Sequence, residues 1–512
     1  MKPLAQTVKL LTAQQEISAI QQFSLLNENE YLSRLLSGRS SLPFDFSDDF
    51  QAAIFSDFLK GNMQARWRFL KRFGQEIRWR LFGKRPKYYI PFAGNRSYLL
   101  ESVREHAWIE RATPGQGPSY EEALKTWERF VSGQPANSYL RKLRPHGGKR
   151  GKLRVFVFSG GGGLGDAILH APLLAALKEK LGGCEITLAC PAAGNAFYAR
   201  SSIVNSVISA DWSETISAVE AAIHTDLFDL VVFSRCFIPV FQICAKTRIT
   251  DPRLLGWLRT QQKTARMVEQ FSTNIGISIL DRMLNVHYLD LFGMVTGLPV
   301  SANSPIEFNP EPAALKAVKA FGLPRRYVTV RDGANPGDTA FVRDQGVTRT
   351  NKQLSPEKWN AILSWVKAQK IGIVQVGDAE DSAMPHVDRD LRGRTTLSEL
   401  YFVMKGALTH IDTEGGLAHF ARAVEKPSVI FFPTTSAAFF GYPQNLNISS
   451  AACGRCWYAN DTWLAKCPRG TSGPECVTTM DIEPLKTFIM AKLTRKRAKA
   501  KKTKKTKKTA AR

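Results

Sequence analysis

Two stretches of the chain alternate short apolar runs with helical stretches, and that alternation restricts the fold more than any other feature. From residue 153 the runs "LRVFVFSG", "CEITLAC" and "FDLVVFSRCF" are separated by "LGDAILHAPLLAALKEKL" and "ETISAVEAAIHT". After "GLPVSANSPIEFNPEP" the pattern restarts with "RYVTVRDG", "SPEKWNAILSWVKAQ", "IGIVQVGD", "TLSELYFVMKGA", "LTHIDTE", "GGLAHFARAV" and "PSVIFFPTT". Runs of this kind predict parallel strands joined by crossover helices. Two of them in tandem predict an α/β protein with two doubly wound, Rossmann-like domains facing across a cleft, divided at the proline-rich 298–313. A chain of 512 residues is too long for one core and needs such a division.

The expected organisation is a mainly helical region at 1–150, α/β domains at 151–310 and 311–491, and a disordered lysine-rich tail at 492–512. The tail carries twelve Lys/Arg and no acid, which is about half of the net charge of +25; 58 basic against 45 acidic residues remain elsewhere. About half of the excess is therefore a sticky tail, open to any polyanion, rather than the footprint of a nucleic-acid reader. Residues 66–87 form a second basic segment, with Trp67, Leu70, Phe73, Ile77 and Leu81 at helical spacing. An anionic membrane surface is a candidate partner for either segment. There is no run of eighteen apolar residues, and the first twenty residues lack the pattern of a signal peptide, so the expected location is the cytoplasm, peripheral on the inner face of the membrane at most.

Five glycines fall within six positions at 160–165, between the first strand and its helix, and Asp166 follows. Gly160, Gly162 and Gly165 make G-x-G-x-x-G in the right context, yet the second strand ends in "TLACPAAG" without the acid that would hold a dinucleotide ribose. A P-loop is excluded more firmly, because no G-K-[S/T] follows. Glycines at a helix start, with Gly163 among them, still offer backbone N–H groups to a negatively charged ligand. Asp166 reads equally as a helix-start acid and as a general base with an acceptor hydroxyl at hand.

The segments "GGLGDAILHAPLLAALKEKLGGCEITLACP", "TNKQLSPEKWNAIL", "GIVQVGDAEDSA" and "HIDTEGGLAHFARAVEKPSVIFFPTT", in this order, resemble glycosyltransferase family 9, the heptosyltransferase-like enzymes, over roughly 150–490. The resemblance implies the GT-B architecture and an inverting transfer of a sugar, heptose first, from a nucleoside-diphosphate-sugar to a hydroxyl, without a catalytic metal. It implies that Asp166 is the base, in a loop with Gly162, Gly163 and Gly165 on the acceptor side. Lys352 meets the donor phosphates, where a fixed cation suits a leaving diphosphate. Asp378 or Glu380 lies near the donor ribose. In "DTEGGLAH" the preferred, ungapped alignment places Glu414, Gly415, Gly416, Leu417 and His419 around the donor and leaves Asp412 outside, whereas alignment on Asp412-Thr413 leaves two residues extra; Thr413 stands beside the donor set in either case. Thr434 and Thr435 occupy the family's Gly-Pro-Thr turn with Phe432 in place of the glycine.

Cys453, Cys456, Cys467 and Cys476 read C-x2-C-x10-C-x8-C. Four thiolates at this spacing in a cytoplasmic protein predict a closed, structural zinc or iron site. The autotransporter heptosyltransferases are similar here. That branch of the family carries a four-cysteine iron site, assembles into rings and modifies serines of adhesins, so a homo-oligomer and a protein acceptor join lipopolysaccharide core and other surface glycans as expected partners. A nucleic-acid-binding protein with a four-cysteine knuckle, or a Rossmann oxidoreductase, is the alternative. The first leaves two α/β units unexplained, and the second lacks its ribose acid.

Overall fold

The computed structural model describes residues 118–494, apart from 134–137, 161–162, 210–211, 236–237, 269–276, 279–280, 282–283, 334–341, 344–345, 451–454, 459–461 and 469–473. The region before 118 that was expected to be helical, the 66–87 segment, Gly162, Cys453 and most of the lysine tail lie outside the described residues. The chain divides into two compact units, Met1–Glu307 with Arg455–Thr471, and Phe308–Gly454 with Ser472–Arg512.

The first unit holds a five-stranded sheet of β1 (Arg154–Ser159), β2 (Glu185–Cys190), β3 (Ser206–Ser209), β4 (Leu230–Arg235) and β5 (Ile238–Ile243), in the order β3-β2-β1-β4-β5. The first four strands run parallel, with Val155 level with Ile186 on one side and Leu230 on the other. Their near-continuous apolar runs fit strands covered on both faces. The strand within "FDLVVFSRCF" ends at Arg235, and a further strand, β5, returns antiparallel on β4. Helix α1 (Tyr120–Gly133) inserts Trp127 edge-on against Phe156 at 5.5 Å and Phe228 at 5.2 Å. Helix α2 (Leu164–Lys180) follows the glycine loop and is buried along most of its first three turns.

Residues 455–471, expected with the second domain, cluster with this first unit. The cause is Asp281, fully buried, which accepts from Trp457 Nε1 at 3.3 Å and pairs with Arg455 at 3.7 Å.

The second unit holds β6 (Tyr327–Val330), β7 (Gly372–Gln375), β8 (Arg389–Asp390), β9 (His410–Thr413), β10 (Val429–Phe432) and β11 (Leu446–Ser449), in the order β11-β10-β9-β6-β7-β8 and parallel throughout. Helix α3 (Pro356–Ala368) starts on a Ser355 cap, and α4 (Leu397–Gly406) on a Thr396/Glu399 capping box. Helix α5 (Gly416–Ala423) follows β9 directly. A helix over 483–494 lays Leu485, Ile489 and Leu493 on the core of this sheet, at the four-residue spacing of one helix face.

In both units the chain lays strands to one side of the first strand and then crosses to the other. The direction of winding reverses between β1 and β4, and again between β6 and β9. Such a reversal opens a crevice at the carboxyl ends of the strands, which is where doubly wound sheets bind ligands. No helix among the described residues is long and apolar enough to cross a membrane.

Candidate functional site

In the second unit the carboxyl ends of β6, β7, β9 and β10 deliver a concentration of buried polar groups. Directly after β6, Arg331 donates from Nε to Asp381 at 2.7 Å and from Nη2 to Asp378 at 2.9 Å. Gly377 makes this possible: its φ of +131° suits glycine, and a Cβ would lie 2.1 Å from Asp381 Oδ2. Of the two acids expected near a ribose, Asp378 is thus the outer partner of Arg331, and Glu380 is exposed. Asp381 was not anticipated; three acids in "GDAED" look alike until the arginine is placed.

Asp332 follows, and sequence reasoning missed it too. Burial pushes its carboxyl up to about 6 against the pull of the Arg349 guanidinium, which is hydrogen-bonded to Oδ2, while Oδ1 has no hydrogen-bond partner among the described residues. The Gln353 side chain donates to the Asp332 carbonyl at 3.2 Å, fastening the 349–354 loop beside this acid. The same loop presents Lys352, whose Nζ lies 3.4 Å from Glu414 Oε2. Both side chains are mostly buried, so the structure brings together the two expected residues with opposite charges.

Glu414 opens onto α5, which starts at Gly415 and Gly416. Among the described residues a Cβ on Gly415 would meet only the Thr413 carbonyl, at 4.0 Å. Packing among them therefore does not require glycine there; its absence of side chain leaves the helix start approachable, where amide groups and the dipole favour an anion. Beside it, after β10, the hydroxyls of Thr434 and Thr435 are buried without a hydrogen-bond partner among the described residues. Buried polar groups in that state point to a ligand or water.

The other expected donor residues serve the frame. Thr413 Oγ1 accepts the Gly333 amide at 3.0 Å, stitching the loops after β6 and β9 together. Leu417 packs in the core. His419 Nδ1 lies 2.9 Å from the Tyr442 hydroxyl. Burial lowers its pKa to about 4, and Lys352 adds to this against the opposing pull of Glu414, so His419 is neutral. Beneath them, His410 bridges Thr329 Oγ1 at 3.1 Å and Asp412 Oδ2 at 3.2 Å, and Asp412 holds the Thr413 amide at 2.8 Å.

In the first unit, Asp166 occupies the third position of α2 and its Oδ2 accepts the Gly163 amide at 3.1 Å, as a capping acid does. Gly165 is buried beneath it. His170, one turn further, is fully buried, and burial lowers its pKa to about 4.

His170 and His419 give stability a pH dependence of definite sign. The folded chain keeps both rings neutral while the unfolded chain takes up protons at the usual 6.5. Their contribution is complete above about pH 6.5 and is lost as pH falls toward 4, at about 1.4 kcal/mol per unit for each ring. Asp332, raised from 3.8, acts in the opposite sense: its contribution is present at low pH and is lost as pH rises through 6. Two rings outweigh one carboxyl, so urea unfolding should show a stability at pH 5 on the order of 3 kcal/mol below that at pH 7. Equal stabilities would mean that the rings are not held neutral.

Among the described residues no group of three or more His, Cys, Asp or Glu is arranged to hold a metal. Cys456 and Cys476 are buried and Cys467 is half-buried. These three thiols form no metal-binding set among the described residues, and Cys453, the fourth expected ligand, lies outside them.

Residues 286–459 match the model of glycosyltransferase family 9 (heptosyltransferase). Over that span, about a third of its length, the chain is similar to this family. The match takes in Lys352, Asp378, Glu380 and the 413–419 segment, and leaves the Asp166 loop outside it. Solved structures similar to the chain include the following three. The ADP-heptose lipopolysaccharide heptosyltransferase II of E. coli shares 13% identity over 66% of this chain and 99% of its own, with a TM-score of 0.41. The iron-containing dodecameric glycosyltransferase TibC of enterotoxigenic E. coli shares 14% over 68% and 81%, with a TM-score of 0.39. A family 9 glycosyl transferase of Veillonella parvula shares 14% over 58% and 85%, with a TM-score of 0.38. No curated protein matches the chain.

Proposed function

We propose that the chain is an inverting glycosyltransferase that moves a sugar, heptose in the first instance, from a nucleoside-diphosphate donor to a hydroxyl of lipopolysaccharide core, another surface glycan or a protein serine. The observation that carries this reading is the Lys352–Glu414 pair at 3.4 Å beside the glycine-opened start of α5, with two buried threonine hydroxyls after β10 that have no hydrogen-bond partner among the described residues. A cation and a helix start together suit a diphosphate, and both act most strongly as its charge develops. In the reaction the acceptor oxygen bonds to the anomeric carbon as the bond from that carbon to the diphosphate oxygen breaks. The acceptor proton passes to the Asp166 carboxylate, and the electron pair leaves with the nucleoside diphosphate, held by Lys352 and the α5 amides. Asp378 and Glu380 stand at the end of β7 for the nucleoside. The four-cysteine metal site remains a proposal on spacing alone.

The test is a thermal-shift panel of nucleoside-diphosphate sugars and free nucleotides, with ADP-heptose included, on the full chain. A donor at a hundredfold excess over its Kd stabilises by about 2.7 kcal/mol, a shift of a few degrees. ADP release is then followed with heptose-free lipopolysaccharide core and with an unmodified autotransporter adhesin as acceptors, and the same preparation is analysed for iron and zinc. A panel in which nothing binds removes the transferase reading; protein free of both metals removes the metal.

A further inference from the structure

The loop after β1 is nearly all glycine, so it has few side chains with which to hold the first turn of α2 on the sheet. That turn carries Asp166. The fastening comes from His170, whose buried ring reaches the carboxyl ends of both β1 and β4. Its Nδ1 lies 2.8 Å from the carbonyl oxygen of Asp166 and 3.1 Å from Ser159 Oγ, and its Nε2 lies 2.7 Å from Ser234 Oγ. A carbonyl can only accept, so Nδ1 carries the proton, and Nε2 accepts from the Ser234 hydroxyl.

The network closes on itself. Ser234 accepts the Gly160 amide through its carbonyl at 2.8 Å, and Asp166 accepts the Gly163 amide at 3.1 Å. Both ends of the glycine loop are thereby tied, through Ser234 on one side and Asp166 on the other, to a single imidazole. Phe292 closes over the ring at 5.3 Å, and burial keeps it neutral, with one donor and one acceptor. Asparagine at this position could keep one of these bonds and is too short to span both.

We propose that His170 is a positioning residue, setting the Asp166 carboxylate at the switch point of the first unit through the Asp166 carbonyl and the Ser234 hydroxyl, without touching substrate. This rests on the reading of Asp166 as the acceptor base. A group that fixes a catalytic side chain through neighbours acts on geometry, and a misplacement of about 1 Å lowers turnover by roughly a hundredfold.

His170→Asn and Ser234→Ala test the circuit, separately and combined, in the full chain. Ser234→Ala removes only a hydroxyl and keeps the test open where His170→Asn fails to fold. Hydrogen exchange of the 160–170 peptide should quicken by about tenfold or more in each variant, with the second unit unchanged. ADP release from ADP-heptose, with the same two acceptors, should fall by roughly ten- to a hundredfold in kcat at unchanged donor KM. The combined variant should lose little more than His170→Asn alone, since the two residues share one network. Exchange within about twofold of wild type, or faster exchange at unchanged kcat, overturns the proposal. The exchange comparison needs no donor: wild-type protein that turns nothing over removes the transferase reading, and the fastening is then decided on exchange alone.

Discussion

Asp166→Asn lowers turnover by on the order of a thousandfold while the donor binds as before, the range expected when a general base is lost. The substitution is close to isosteric, and an asparagine oxygen still accepts the Gly163 amide that Asp166 holds at 3.1 Å. The start of α2 stays capped, and only the ability to take the acceptor proton goes. Donor affinity, read by calorimetry with ADP, stays within about twofold because the donor groups lie on the second unit. Turnover within about tenfold of wild type moves the base elsewhere and leaves Asp166 as a capping acid worth about 0.5 kcal/mol.

Lys352→Ala has two effects that one further substitution separates. It removes the cation that meets the leaving diphosphate, for a loss in kcat of roughly a hundred- to a thousandfold. It also strands Glu414, whose carboxylate is nearly buried and lies 3.4 Å from the ammonium, for a loss of stability of about 3 kcal/mol. Combining Lys352→Ala with Glu414→Gln removes the stranded charge, so most of the stability should return while turnover stays low. If urea unfolding and ADP release both recover in the double variant, Lys352 serves Glu414 and not the donor.

The match of residues 286–459 and the two doubly wound sheets bear out the resemblance to family 9, the α/β class and the class of enzyme expected from the chain; the four-cysteine iron site, the helical N-terminal region and the tail are not part of that agreement. Much of this was legible because strands buried on both faces must be continuously apolar, and the crossover helices must carry a stripe. The periods of "LRVFVFSG" and "SPEKWNAILSWVKAQ" therefore state their own secondary structure. β5 escaped because "IPVFQI" follows β4 after only two residues and extends the same apolar composition, so nothing local marks the reversal. The pairing of Lys352 with Glu414 was half legible: each residue stood in a recognisable segment, but their contact joins loops 62 positions apart.

Local chemistry along the chain determined which segments become strands and helices, that there are two such units, and that glycines open α2 and α5, because backbone preference and burial period act within a few residues. Tertiary structure alone decided that Asp381 and not Glu380 holds Arg331, and that Asp332 is buried against Arg349. It also decided that His170 faces Ser234 and that the 455–471 segment rests on Asp281. Those contacts depend on strand order and parallel register, which bring together residues far apart in sequence, and an acid or a histidine carries no local mark of the partner it will meet.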